Sequence, residues 1–150
     1  MTSRFLIDTN VLVYSIDPAE PVKRERAISV LDGLATPDAA CVSTQSLGEF
    51  FRVSTVRVAN PLSEDEAAGY LREWQEAWPV LGTSALTLIE QVRGRLRHRM
   101  SWWDAQQWAI ARVNHVPMIL SEDFTDGQTI EGVTFVDPFA DGFDVGALAE

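Results

Sequence analysis

The sequence predicts an α/β domain built on a mostly parallel sheet, and three observations carry that reading. Short apolar runs recur at Phe5–Ile7, Ala39–Ser43, Pro79–Leu81, Pro117–Leu120 and Val133–Val136. Between them lie segments whose apolar residues repeat at helical spacing, the alternation expected of βαβ units with helices covering both faces of the sheet. Two of the runs stop abruptly at acids, Asp8 and Glu122-Asp123. In open α/β sheets the carboxyl edge is where ligands bind.

Taken in order, Phe5-Leu6-Ile7 reads as a buried strand that delivers Asp8, with Thr9 and Asn10, to the start of a helix over Val11–Ile16. The two prolines of Asp17-Pro18-Ala19-Glu20-Pro21 end that helix. From Val22 to Ala35, apolar Ala27, Val30, Leu31 and Leu34 share one face and Lys23, Arg24, Glu25 and Arg26 the other. Thr36-Pro37-Asp38 closes the unit before the strand Ala39–Ser43. Thr44 or Ser46 opens a third helix that runs to about Val56. Ser63-Glu64-Asp65-Glu66 has capping-box form for a helix to about Trp78. Pro79–Leu81 is a short strand, and Thr83 or Ser84 caps a helix that reaches Arg99. Ser101 starts the Trp-rich helix Trp102–Ala111, after which come the strand ending at Leu120 and a last strand, Val133–Val136. The Gly-containing tail, residues 140–150, reads as loosely held beyond a domain of residues 1–139.

At 150 residues, with 46% hydrophobic and 23% charged side chains, the chain fits one domain able to bury a core without staples. Its single cysteine, Cys41, excludes an intrachain disulfide, sits in an apolar run and reads as an inert buried thiol in a reducing compartment. The first apolar run is too short for a signal-peptide core and no segment is long enough to span a bilayer, so the expected location is the cytoplasm. A formal charge of −10 argues against broad, nonspecific attraction to nucleic acid or anionic membrane. It leaves room for a local basic surface beside an acidic pocket.

Four acids fall at element ends: Asp8, Glu49, Asp104 and Asp123. Each has a plain structural alternative. Asp8 could cap a helix, Ser46-x-x-Glu49 and Ser101-x-x-Asp104 fit a capping pattern, and Asp123 and Asp126 could be turn residues. Together they suggest more, because strand ends and helix starts in a parallel sheet meet at one edge. Four carboxylates gathered there repel one another unless cations intervene. An all-oxygen set suits Mg²⁺ or Mn²⁺, ions that promote phosphodiester hydrolysis.

On those residues the chain resembles the PIN domains, and among them the VapC ribonuclease toxins of type II toxin–antitoxin systems. The matching stretches are Ile7-Asp8-Thr9-Asn10, Ser43-Thr44-Gln45-Ser46-Leu47-Gly48-Glu49-Phe50, Trp103-Asp104-Ala105 and Leu120-Ser121-Glu122-Asp123-Phe124. Glu131-Gly132-Val133 and Asp137-Pro138-Phe139 resemble the closing strand of that family, where Asn-Pro-Phe is commoner. The ordered set spans nearly the whole chain. The resemblance implies a three-layer α/β/α sandwich and a Mg²⁺ or Mn²⁺ site made by Asp8, Glu49, Asp104 and Asp123. Thr9, Asn10 and Ser121 would be supports that orient carboxylates or water, with Asp126 an optional extra acid.

The implied activity is endoribonuclease cleavage, transfer RNA being a frequent target in the family, by metal-activated water that leaves a 5′-phosphate. For RNA binding the best basic run is Arg93, Arg95, Arg97, His98 and Arg99, ahead of Trp102 and Trp103, with Arg52 and Arg57 second. The tryptophans themselves read more readily as packing residues. The resemblance also implies a VapB-like antitoxin that blocks the site from a groove furnished by apolar residues such as Val11, Leu12, Phe50 and Phe51, a homodimer, and a larger toxin–antitoxin complex.

Rival readings are a PIN-like module that binds RNA or antitoxin without cutting, and a housekeeping nuclease of RNA processing. A haloacid-dehalogenase-type enzyme is disfavoured because Asp8-Thr9-Asn10 lacks its second acid. A receiver domain needs a suitably placed lysine, and Lys23 is the only one. No Gly-rich nucleotide-binding pattern is present. Neither His98 nor His115 lies in a matching motif, so a histidine-based ribonuclease finds little support.

Overall fold

The computed structural model describes residues 3–36 and 38–149; Pro37 of the predicted turn and Glu150 of the predicted tail lie outside them. In chain order the elements are β1 (Phe5–Ile7), α1 (Thr9–Tyr14), α2 (Pro21–Gly33), β2 (Ala40–Ser43), α3 (Thr44–Val56), α4 (Glu64–Ala77) and β3 (Val80–Leu81). There follow α5 (Ala85–His98), α6 (Trp102–Val113), β4 (Met118–Leu120), β5 (Thr129–Ile130), β6 (Val133–Val136) and a 3-10 turn over Val145–Ala149. The strands form one six-stranded sheet in the order β3-β2-β1-β4-β6-β5. Every pairing is parallel except that of β5 with β6.

The period-two geometry of a strand sorts its side chains between two cores. From β1, Phe5 and Ile7 join a core with Val11, Leu12, Val30, Leu47, Phe50 and Trp74 of α1 to α4. Leu6, between them, joins Trp108 and Ile110 of α6 on the opposite face. Likewise Val42 of β2 faces the first core and Cys41 the second, while β4 divides Leu120 from Ile119. A parallel sheet with both faces covered is the α/β/α sandwich the sequence predicts. Burial pushes the Cys41 thiol up to about 11, so it stays protonated and unreactive at neutral pH.

Local signals set the helix starts. Ser63 accepts from the Glu66 backbone N–H while Glu66 accepts from that of Ser63, closing the predicted capping box of α4. Ser84 caps α5 and Ser101 caps α6. At α3 the cap is Ser43, one residue before the predicted start, so the Ser46-x-x-Glu49 capping pattern is not what Glu49 serves. Arg99 takes a left-handed conformation, φ 57°, as it ends α5.

Two features depart from expectation. The sequence reading has no β5: this two-residue strand is turned back onto β6 by Glu131 (φ 47°) and Gly132 (φ 84°), both left-handed. Nor does the tail hang free. Leu148 is buried in the first core, and Arg4 donates to its carbonyl at 2.9 Å. The predicted boundary after residue 139 therefore has no packing counterpart. Among the described residues no helix is long and apolar enough to cross a membrane.

Candidate active site

The sheet order reverses direction between β1 and β4, and a crevice at the carboxyl ends of such strands is the usual ligand site in α/β folds. Asp8 follows β1 and Ser121-Glu122-Asp123 follows β4, so both segments meet at that crevice. Asp8 is 8% exposed. Its Oδ1 accepts the Thr9 backbone N–H at 2.9 Å and the Gln107 amide at 3.1 Å; its Oδ2 accepts the Ser121 hydroxyl at 2.7 Å and, weakly, the Asn10 amide at 3.5 Å. Asp8 thus does cap α1, as the plain reading has it, but three of its four donors are side chains from elsewhere on the crevice.

Asp123 and Glu49 are tied to it through its neighbours Asn10 and Thr9. Asn10 Nδ2 spans from Ser121 Oγ (3.0 Å) to Asp123 Oδ2 (3.1 Å), and the Ser121 hydroxyl also accepts the Asp123 backbone N–H. Thr9 Oγ1 donates to Glu49 at 2.8 Å, bringing that residue of α3 to the site. Asp104 projects from the first turn of α6, where Ser101 accepts its backbone N–H.

Charge and burial press on this group. Burial pushes the Asp8 carboxyl above its ordinary range; the Ser121, Thr9 and Gln107 donors oppose it, and the Asp123 charge adds to it. Burial likewise raises Asp104, against the Ser101 hydroxyl, with Asp123 and Glu49 adding repulsion. Among the described residues none of these four acids forms an ion pair that would relieve it. The donor set, carboxylates and hydroxyls with no sulfur or imidazole, is the kind that holds hard divalent cations. Its spacing is open: among the described residues no three acids, cysteines or histidines converge closely enough to close on one ion. The carboxylates rest instead on hydroxyl and amide donors.

A cavity of about 290 Å³ adjoins the acids. Its lining combines Thr9, Asn10, Glu49 and Asp123 with Val13, Tyr14 and Val53. This corrects the predicted apolar groove. Val11, Leu12 and Phe50 are 0% exposed core residues, because the inward face of α1 carries positions 11 and 12 and its outward face 10, 13 and 14. Beside the cavity, Glu122 accepts Tyr14 Oη at 2.5 Å and Lys23 Nζ at 2.9 Å, which engages the only lysine.

The other predicted residues divide. Asp126 Oδ1 accepts the Asp137 backbone N–H at 2.9 Å, the brace of a turn. The arginine run does not act as a unit. Arg93 pairs with Glu90 and Glu131, both at 2.8 Å, whereas Arg95, Arg97 and Arg99 are exposed, Arg95 donating to the Met100 carbonyl. Two-residue spacing on a helix turns successive side chains about 200° apart, so the run divides between two faces. Trp102 and Trp103, read as packing residues, are 41% and 57% exposed at the start of α6; of the three tryptophans on that helix only Trp108 is core.

Gln107 is the residue the sequence reading missed. It is 2% exposed and bonded directly to Asp8. Its signal was a polar residue three positions after Asp104, on the same helix face, within an otherwise apolar stretch.

No protein-family model matches the sequence, and no curated protein does. Solved structures do share its fold. A toxin–antitoxin complex from Klebsiella pneumoniae superimposes with a TM-score of 0.65 at 18% identity, over 89% of this chain and 97% of that one. DNA-bound VapBC from Salmonella typhimurium gives 0.62 at 17%, over 92% and 99%. The sarcin-ricin loop cleaving toxin VapC20 of Mycobacterium tuberculosis gives 0.57 at 16%, over 79% and 91%. At such identities the likeness establishes a common fold, the PIN-like sandwich that the sequence resemblance implies.

Proposed function

We propose that this chain is a metal-dependent endoribonuclease and the toxin of a toxin–antitoxin pair. The observation that carries the reading is the buried Asp8 carboxylate, gripped by four donors at the crevice and repelled by Asp123, which with Glu49 also repels Asp104, while none of the four forms an ion pair among the described residues. The fold shared with toxin–antitoxin structures supports it.

Asp8, Glu49, Asp104 and Asp123 are the residues that would hold Mg²⁺ or Mn²⁺; such an ion, when bound, makes water a better nucleophile and offsets charge on a phosphodiester. The chain's own polar residues do the positioning. Ser121 and Gln107 fix opposite oxygens of Asp8, Thr9 holds Glu49, and Asn10 keeps Asp123 close to Asp8. Exposed Arg95, Arg97 and Arg99, rather than the ion-paired Arg93, are the arginines of that run available to phosphate. The half-apolar cavity beside the acids suits an antitoxin segment that covers the site, in keeping with the toxin–antitoxin complexes that share the fold. The outward face of α5, with Ile89 at 64% and Leu96 at 77% exposure, suits self-association into a homodimer.

The test is cleavage of end-labelled RNA, transfer RNA and ribosomal RNA included, by antitoxin-free protein in Mg²⁺ or Mn²⁺, with EDTA and Asp8→Asn controls. Discrete cuts bearing 5′-phosphates, absent from both controls, are expected. Folded, antitoxin-free protein that leaves every RNA intact would instead support the non-cutting module.

A further inference from the structure

We propose that Gln107 is a positioning residue: its buried amide holds the Asp8 carboxylate in register with the helices that carry Glu49 and Asp104. The inference rests on the nuclease reading of the site and assigns a role to a residue outside its acidic set.

Both N–H donors of the amide are used and its oxygen accepts one bond. Nε2 donates to Asp8 Oδ1 at 3.1 Å and to Ser46 Oγ at 2.7 Å, while Oε1 accepts the Ser43 hydroxyl at 2.9 Å. Turned over, the amide would set its oxygen against the Asp8 carboxylate, so the native orientation is the one its surroundings permit. Ser43 and Ser46 are 0% exposed, and Ser43 also accepts the Ser46 backbone N–H as the cap of α3. Half-satisfying such a buried network is costly, which keeps its members locked.

The three elements joined here bear three of the four acids. Gln107 lies one turn after Asp104 on α6, Ser46 one turn before Glu49 on α3, and Asp8 at the end of β1. A shift of α6 against α3 would therefore pull on Asp8 through one side chain. Ser121 holds the other oxygen of that carboxylate, so the two contacts together fix its plane. Side chains that orient ligating carboxylates in this way contribute strongly to metal affinity although they do not touch the ion.

The experiment compares wild type, Gln107→Leu and Ser46→Ala as free full-length chains. It measures Mn²⁺ affinity by calorimetry, kcat and KM on a cleaved RNA, and the melting temperature. Gln107→Leu is expected to bind Mn²⁺ about tenfold or more weakly and to lose kcat to a similar degree, with KM for RNA little changed. Ser46→Ala, which removes one anchor of the amide and leaves the Ser43 cap, should weaken Mn²⁺ binding by a smaller factor. A purely structural role would lower the melting temperature and leave Mn²⁺ affinity of the folded variants at the wild-type value, which overturns the proposal. Should Gln107→Leu not fold, Ser46→Ala decides alone: weaker binding supports the role and unchanged binding ends it. Wild type that neither binds Mn²⁺ nor cuts RNA would sink the nuclease reading, and this inference with it; wild type that does both while the variants match it sinks this inference only.

Discussion

The molecule holds two clusters of carboxylates, and it treats them in opposite ways. At the crevice, Asp8 and Asp104 are pushed above their ordinary range by burial and by neighbouring acids. Between α5, α6 and the β5–β6 hairpin, Glu90 and Glu131 are pulled below theirs by Arg93, Arg112 and His98. In that second cluster two of the cations lie over the ring of Trp108, with the Arg93 and Arg112 guanidinium groups 5.6 and 5.9 Å from its centre. Where acids serve packing, the chain supplies their counter-charges. Where they are left to repel, a cost is retained that a purely structural site would not need, and perturbed groups in a cleft are the usual mark of function.

Asp8→Asn tests the first cluster and should have the largest effect. Loss of a group that would contact the ion should exceed the tenfold to hundredfold cost typical of residues one step removed, so cleavage should fall by more than about a hundredfold. Folding should survive, because Asn keeps the shape and removes a buried charge in a repulsive setting. Stability at neutral pH is expected to be equal or higher, read as the melting temperature. A marked drop would mean that the carboxylate is there for structure and would erase the contrast.

In the second region the corresponding test is mechanical. Gly94 of α5 packs against α6 so closely that an added Cβ would lie 2.9 Å from two ring carbons of Trp108. That ring is fully buried and its indole N–H donates to the Ile130 carbonyl at 3.0 Å, so it has nowhere to move. Overpacking of this kind costs about 1–3 kcal/mol, against about 1 kcal/mol gained from better helix propensity. Gly94→Ala should therefore lower stability by up to ~2 kcal/mol net and leave Mn²⁺ affinity of the folded protein intact. A stable variant with impaired metal binding would show that the two regions are coupled.

How legible each region is in the sequence follows from the range of the signals. Asp8 and Asp123 announce themselves because an apolar strand ends at each, and the helix caps at Ser63, Ser84 and Ser101 are written within four residues. The second region depends on contacts between residues far apart in the chain. Arg93 looks like part of a basic stripe until Glu131, 38 positions away, turns it into half of an ion pair. The hairpin that presents Glu131 escaped notice because Thr129–Ile130 is too short to show a period and its turn is Glu-Gly rather than the commoner Asn-Gly or Asp-Gly. Gln107 was hidden for a related reason. Sequence patterning marks which positions are buried, whereas only the fold shows that a buried amide meets a carboxylate 99 residues away.

The smallest expected effect is the most direct on charge. Arg93 donates to Glu131 at 2.8 and 3.0 Å, and His98 lies 2.6 Å from it; the arginine first, then the histidine, pulls the Glu131 carboxyl down to about 2 from an ordinary 4.5. In the unfolded chain this group takes up its proton near 4.5, while the folded chain resists until about 2. Its contribution to stability is therefore complete above pH 4.5 and lost as the pH falls through that window. The pair is in contact with water, which limits the contribution to about 1 kcal/mol or less. Glu131→Gln should remove that amount at neutral pH and flatten the acid limb of the stability curve between 4.5 and 2, measured by denaturant titration at a series of pH values. The direction matters more than the size, since neutralising Glu131 should weaken the fold while neutralising Asp8 should not. If both substitutions move stability the same way, compensation of charge does not distinguish the two clusters.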